Sequence, residues 1–202
     1  MKILFLLTNY PGFGGIEKVT MYITLYLIKR GHSISILAYG SSAPQLINSL
    51  PLRIPLIFVP EQQNYDSCMN SVFIRNYLME NEFDFVVLQD SYAPIEHYIK
   101  EIDYPWKEKL IVVEHNSPLY ALLTVNSYFY IKNTWSFFIK RLIKYPFSIC
   151  KAYVTTQKRH SLLFENCRKY VLLSDSFRSE LKSLIWKFDK KKVTIINNPL
   201  TI

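Results

Sequence analysis

The stretch that decides the fold is KILFLLTNYPGFGGIEKVTMYITLYLIKRGHSISILA, residues 2–38. It opens on the apolar run Lys2–Leu7, the pattern of a parallel strand covered on both faces. Gly12, Gly14 and Gly15 follow, three of the chain's 5 glycines in one turn. Ile16, Val19, Ile23, Tyr26 and Leu27 then recur at helical spacing. Gly31 ends that helix as a C-terminal glycine does, and Ser33–Ala38 is a second apolar run. Strand, glycine turn, helix and strand in this order make one βαβ unit.

The same alternation continues outward. Ile54–Val59 reads as a strand, Ser67–Glu82 as a helix and Asp84–Leu88 as a strand. Pro94–Glu101 reads as a short helix and Leu110–Val113 as a strongly β-branched strand. Tyr170–Leu173 and Val193–Ile196 are two more strands, with a helix from about Asp175 to Phe188 between them. This predicts an α/β, Rossmann-like parallel sheet with helices on both faces, as a single domain over residues 1–202. Leu119–Cys167 breaks the rhythm. From Leu119 to the strand at Tyr170 there are nine Lys and Arg residues, many aromatics and Glu165 as the only acid. One or two long helices with a basic, aromatic face are expected there.

Composition agrees with a packed domain. Half of the 202 residues are hydrophobic and 20% are charged, which excludes a disordered chain. Ile3–Leu7 is shorter than the roughly 7–15 apolar residues of a secretory signal core, and no run approaches the ~20 needed to span a bilayer. Cys68, Cys150 and Cys167 have neither CxxC nor metal-site spacing, so reduced, packed or half-buried thiols are expected. The net charge of +8 suits an anionic partner: a phosphorylated substrate, a membrane surface or nucleic acid. No nucleic-acid motif is present.

In an open parallel sheet, ligands bind beyond the carboxyl ends of the strands. The residues there are Thr8–Glu17, then Gln89, Asp90 and Ser91, then Glu114, His115 and Asn116, then Ser174 and Asp175. In the first of these, glycines permit positive φ and close approach, and the helix that follows offers free N–H groups. Together they favour a phosphate; a tight turn with no ligand is the alternative. The nicotinamide and flavin fingerprint fails, because Glu17 stands at its third glycine and Leu37-Ala38-Tyr39 carries no carboxylate. The P-loop fails because Ile16 follows Gly15.

These residues resemble a known family. Gly14-Gly15-Ile16-Glu17, the apolar helix and Arg30-Gly31-His32 resemble the N-terminal half of the retaining family 4 glycosyltransferases, which have the two-Rossmann-domain GT-B architecture. Glu114-His115-Asn116 resembles that family's histidine loop. Leu172-Leu173-Ser174-Asp175 resembles its strand-to-helix turn, and Val193–Pro199 resembles the stretch that hands over to the C-terminal domain. Asn197-Asn198-Pro199 departs from the family's Pro-Asn-Gly. No two glutamates lie eight apart, so the family's Glu-x7-Glu element, and with it the donor-binding domain, is expected to be absent from residues 1–202.

The resemblance implies transfer of a sugar from a nucleotide-sugar donor to a glycan or lipid-linked acceptor with retention, and with no metal or other cofactor. Gly14 and Gly15 would face the donor diphosphate. His115 would be the catalytic histidine, with a loop histidine that fixes Asn116 as the alternative. Asp90, Asn116 and Glu17 are acceptor or sugar-binding candidates; Glu17 also suits a helix N-terminus and Asp90 a solvated strand end. His32 is expected to be structural, and His97 and His160 to lie on the surface. The basic aromatic stretch 128–169 is a solvated face or a contact with an anionic membrane, as in a cytoplasmic cell-envelope polysaccharide enzyme attached to the inner face of the membrane. A stand-alone sugar- or phosphate-binding module, and a membrane-associated subunit that completes a donor-binding partner, are the rival readings.

Overall fold

The computed structural model describes residues 1–50, 54–62, 64, 65, 67–89, 91, 95–130 and 135–197. Seven parallel strands form one sheet in the order β3-β2-β1-β4-β5-β6-β7. They are β1 (Lys2–Asn9), β2 (Ser33–Gly40), β3 (Leu56–Phe58), β4 (Phe85–Leu88), β5 (Leu110–Glu114), β6 (Lys169–Leu172) and β7 (Val193–Ile195). The helices are α1 (Gly15–Lys29), α2 (Cys68–Asn81), α3 (Glu96–Glu101), α4 (Trp106–Lys109), α5 (Tyr120–Tyr130), α6 (Trp135–Asn166) and α7 (Ser176–Leu184).

Chain direction explains which face each helix covers. From β1 the chain steps outward to β2 and β3, then returns to β4 on the other side of β1 and steps outward again to β7. Right-handed crossovers therefore send α1 to one face and the later helices to the other. The two cores follow the period-2 alternation of the strands. Leu4 and Leu6 pack with Leu78 of α2, Tyr98 of α3, Leu163 of α6 and Leu181 of α7. Ile3, Phe5 and Leu7 pack on the opposite face with Ile16, Ile23 and Leu27 of α1.

Helix ends follow local chemistry. α1 closes with Gly31 at φ 81°, its N–H bonded to the Ile28 carbonyl at 2.9 Å, and His32 N–H bonded to that of Leu27 at 3.1 Å. These are the two bonds of a Schellman stop. Ser67 caps α2 through its side chain. The helix expected from Asp175 to Phe188 ends at Leu184, because Ile185 turns to extended backbone and buries its side chain.

The expected basic, aromatic segment is two helices, α5 and α6. Three short elements were not anticipated: α4 and the 3-10 turns at Pro44–Ser49 and Lys190–Lys192. Cys167 is buried as expected, whereas Cys68 and Cys150 are exposed. Among the described residues no helix is long and apolar enough to cross a membrane.

Candidate active site

The strand order reverses beside β1, so the carboxyl ends of β1 and β4 flank the crevice where such sheets bind ligands. Gly14 is the N-cap of α1 and Gly15 its first residue. No side chain caps this end, and nothing lies within 4 Å of where a Gly15 Cβ would be. The first N–H groups of α1 thus have no side-chain acceptor among the described residues.

The glycines of this turn do not take the positive φ expected of them. Among the described glycines only Gly31 has positive φ, and Gly14 is extended at φ −71°. Gly12 and Gly14 lie against side-chain ends rather than backbone. A Cβ on Gly12 would sit 2.5 Å from Ser42 Oγ and 2.9 Å from Glu17 Oε1, and one on Gly14 would collide with Glu17 Oε2. Glu17 is third in the helix and its carboxylate folds back over the turn.

At the ends of β4 and β5, His115 Nε2 lies 2.7 Å from Gln89 Oε1, so Nε2–H donates to the Gln89 amide oxygen. Gln89 is buried, His115 half-buried and Asn116 exposed. Both Gln89 and His115 border an apolar trough of about 320 Å³ on the α1 face, whose floor includes Phe85, Val87, Ile111 and Val113. Asn197 lines the same trough. Asp90 lies outside the described residues. A larger cavity of about 490 Å³ sits beside Trp106 and Glu108, at the amino end of β5 and away from these groups.

Behind His115 lies a buried polar network that the sequence reading did not assemble. Glu114 is 1% exposed. Its Oε1 accepts from the Ser91 hydroxyl at 2.9 Å and its Oε2 from the Tyr170 hydroxyl at 2.9 Å. His160 Nδ1 lies 2.8 Å from that Tyr170 hydroxyl and 3.6 Å from Glu114 Oε2. Ser91 follows β4, Glu114 ends β5, Tyr170 is in β6 and His160 is in α6, so the network ties four elements behind one loop.

His160 was expected on the surface and is fully buried. Burial and then the Arg159 charge push its imidazole down to about 4, against the opposing pull of the Pro118 backbone. The ring is therefore neutral at pH 7. Glu114 pulls the other way, but complete burial of the ring dominates. His97 stays near the surface, 2.9 Å from Glu101. Ser117 Oγ donates to Glu180 of α7 at 2.5 Å and accepts from Leu119 N–H, which pins the far side of the His115 loop. The signal for Glu114 was its place beside His115; nothing local marked His160 or Tyr170.

The fold is shared with known proteins. Three solved structures share the fold. WaaG, a glycosyltransferase involved in lipopolysaccharide biosynthesis, superposes with a TM-score of 0.58 at 17% identity, over 96% of this chain and 44% of its own. Anabaena HepE, solved with UDP and glucose, gives 0.59 at 11% identity, over 98% and 44%. A glycosyltransferase from Rickettsia africae gives 0.57 at 16% identity, over 97% and 42%. The chain thus spans less than half the length of each of these proteins. Among curated proteins no relative matches the chain. The fold is that of one Rossmann-like half of a GT-B glycosyltransferase. The model of Glycosyltransferase Family 4 matches residues 13–201, and the chain belongs to that family.

Proposed function

We propose that this chain is the acceptor-side half of a retaining sugar transferase that uses a nucleotide-sugar donor, a glycan or lipid-linked acceptor and no metal ion. One observation carries the reading: the uncapped N-terminus of α1 and the Gln89–His115 pair both stand at carboxyl ends of strands about the point where strand order reverses. HepE, with its bound UDP and glucose, supports the donor class.

In this reading the N–H groups at Gly14 and Gly15 stabilise charge developing on the departing diphosphate. His115, oriented by Gln89, contacts the transferred sugar or the acceptor hydroxyl. Asn116 and Asp90 meet the acceptor. The donor-binding half lies outside residues 1–202, on the same polypeptide or on a partner.

The test is donor turnover. Residues 1–202 alone should release no UDP from a UDP-sugar, and the chain together with its donor-binding half should release it. His115→Ala should then lower kcat by about 100-fold. Turnover by the 202-residue chain alone would refute the division of labour.

A second reading concerns location. Lys144, Phe147, Lys151, Val154 and Lys158 recur at helical spacing along α6 and are all exposed. Trp186, beyond α7, is 94% exposed. Cations beside apolar side chains on one face suit an anionic membrane surface. This supports a cytoplasmic enzyme held at the inner face of the cell membrane in envelope polysaccharide synthesis, as WaaG is involved in lipopolysaccharide biosynthesis. The chain should float with anionic vesicles at low salt and be released at high salt; indifference to vesicles would refute this.

A further inference from the structure

Backbone pairing between β4 and β5 stops at Leu88 and Val112, whereas β5 stays paired with β6 as far as Glu114. Beyond Leu88 the ends of β4 and β5 are joined through side chains. Gln89 is held to β1 by its backbone N–H, 3.0 Å from the Leu6 carbonyl, and its side chain meets His115 at 2.7 Å. Ser91 donates to Glu114 at 2.9 Å. Successive residues of a strand point to opposite faces. Val113 and His115 border the apolar trough on the α1 face, and Glu114 between them reaches Tyr170 and His160 on the α6 face. The two side-chain bonds therefore clasp the strand ends from opposite faces of the sheet.

The clasp on the α6 face is the more enclosed. Ser91, Glu114, Tyr170 and His160 are all buried. Both carboxylate oxygens of Glu114 accept from hydroxyls, one from Ser91 and one from Tyr170. With its proton given to Glu114, the Tyr170 oxygen accepts from His160 Nδ1–H at 2.8 Å. Donation thus runs one way, from α6 through β6 to the carboxylate. Burying a carboxylate is costly unless its oxygens are bonded, and such bonds are directional where apolar packing is not. The bond to Gln89 sets where the tip of the His115 ring ends, and the Glu114 anchor sets where its backbone starts.

We propose that Glu114 is a positioning residue for His115, with Ser91 and Tyr170 as the fixed points that hold its carboxylate and so the peptide from which His115 projects. The inference rests on the transferase reading and deepens it. Buried behind the sheet, Glu114 acts through His115 and not on a ligand.

The experiment compares the parent chain with Glu114→Gln, which turns one acceptor into a donor, and Ser91→Ala, which removes one donor. If Glu114→Gln does not fold, Ser91→Ala, smaller by one oxygen, carries the test. Leu78→Ala, in the core and outside the network, is destabilised for another reason. The first readout needs no activity: exchange of the His115 Nε2–H with water, followed by 15N-edited NMR of the 202-residue chain. Glu114→Gln and Ser91→Ala should exchange that proton about tenfold faster, and Leu78→Ala should leave it unchanged. The second readout is UDP release by the chain with its donor-binding half. In both network variants kcat should fall about tenfold and the donor KM stay within about twofold, the pattern of a misplaced reacting group with binding intact. Either readout left unmoved by both network variants would overturn the inference. Equal effects from Leu78→Ala would overturn it too, because they mark lost stability and not lost position. If the parent chain with its donor-binding half releases no UDP, the transferase reading fails, and proton exchange alone decides whether Glu114 positions His115.

Discussion

Acidification should destabilise this domain through one histidine. His160 is fully buried beside Tyr170 and Glu114, and its imidazole is held at about 4 against 6.5 in the unfolded chain. Between those two values the unfolded chain takes up a proton that the folded one refuses. The stabilisation is therefore complete above pH 6.5 and is lost as pH falls towards 4. The full gap is worth about 3 kcal/mol, and going from pH 7.5 to 5 removes about 2 kcal/mol of it. That is a large part of the 5–15 kcal/mol typical of a domain. The assay is urea unfolding of the parent chain and of His160→Gln at both pH values. Other groups titrate equally in both proteins, so the difference between their pH dependences isolates His160. The variant should start less stable and lose about 2 kcal/mol less on acidification. Equal losses, or a parent chain that gains stability at pH 5, would show an imidazolium paired with Glu114 and refute the reasoning.

Two further outcomes are expected. Cys167 is buried and its thiol is pushed up to about 12, so a disulfide reagent at pH 8 should modify Cys68 and Cys150 quickly and Cys167 only on unfolding; three fast thiols would contradict the packing. Gly31 stands at φ 81° with open space where a Cβ would go, so Gly31→Ala should cost about 1 kcal/mol from backbone strain alone, read by urea unfolding, and a neutral substitution would contradict the Schellman stop.

Much of the architecture was legible because buried parallel strands and a helix with one apolar stripe leave strong local patterns. Lys2–Leu7 and Leu110–Val113 each match a strand that extends only one or two residues further. What stayed hidden is held by contacts distant in sequence. α4 is four residues long and is anchored by Trp106, buried against Tyr104. His160 looked like an isolated surface histidine because its partners are on β5 and β6. The glycine cluster was noticed for its spacing, but one pattern serves two causes. Gly12 and Gly14 lack positive φ and lie instead against the side-chain ends of Ser42 and Glu17. Gln89 was among the strand-end candidates, and only the folded register shows that it faces His115.

The sheet order also dictates a schedule for synthesis. β1 is made first yet ends up at the interior of the sheet, paired with β2 on one side and with Phe85–Leu88 on the other. A nascent chain that has reached β3 carries an incomplete sheet, with the Ile3–Leu6 edge of β1 still unpaired. Unpaired parallel edges close slowly and attract other strands. Once β4 docks, each later strand adds to the same growing margin, β5, then β6, then β7. Between the emergence of β3 and of β4 from the ribosome that edge stays open, and a translational pause there would lengthen its exposure.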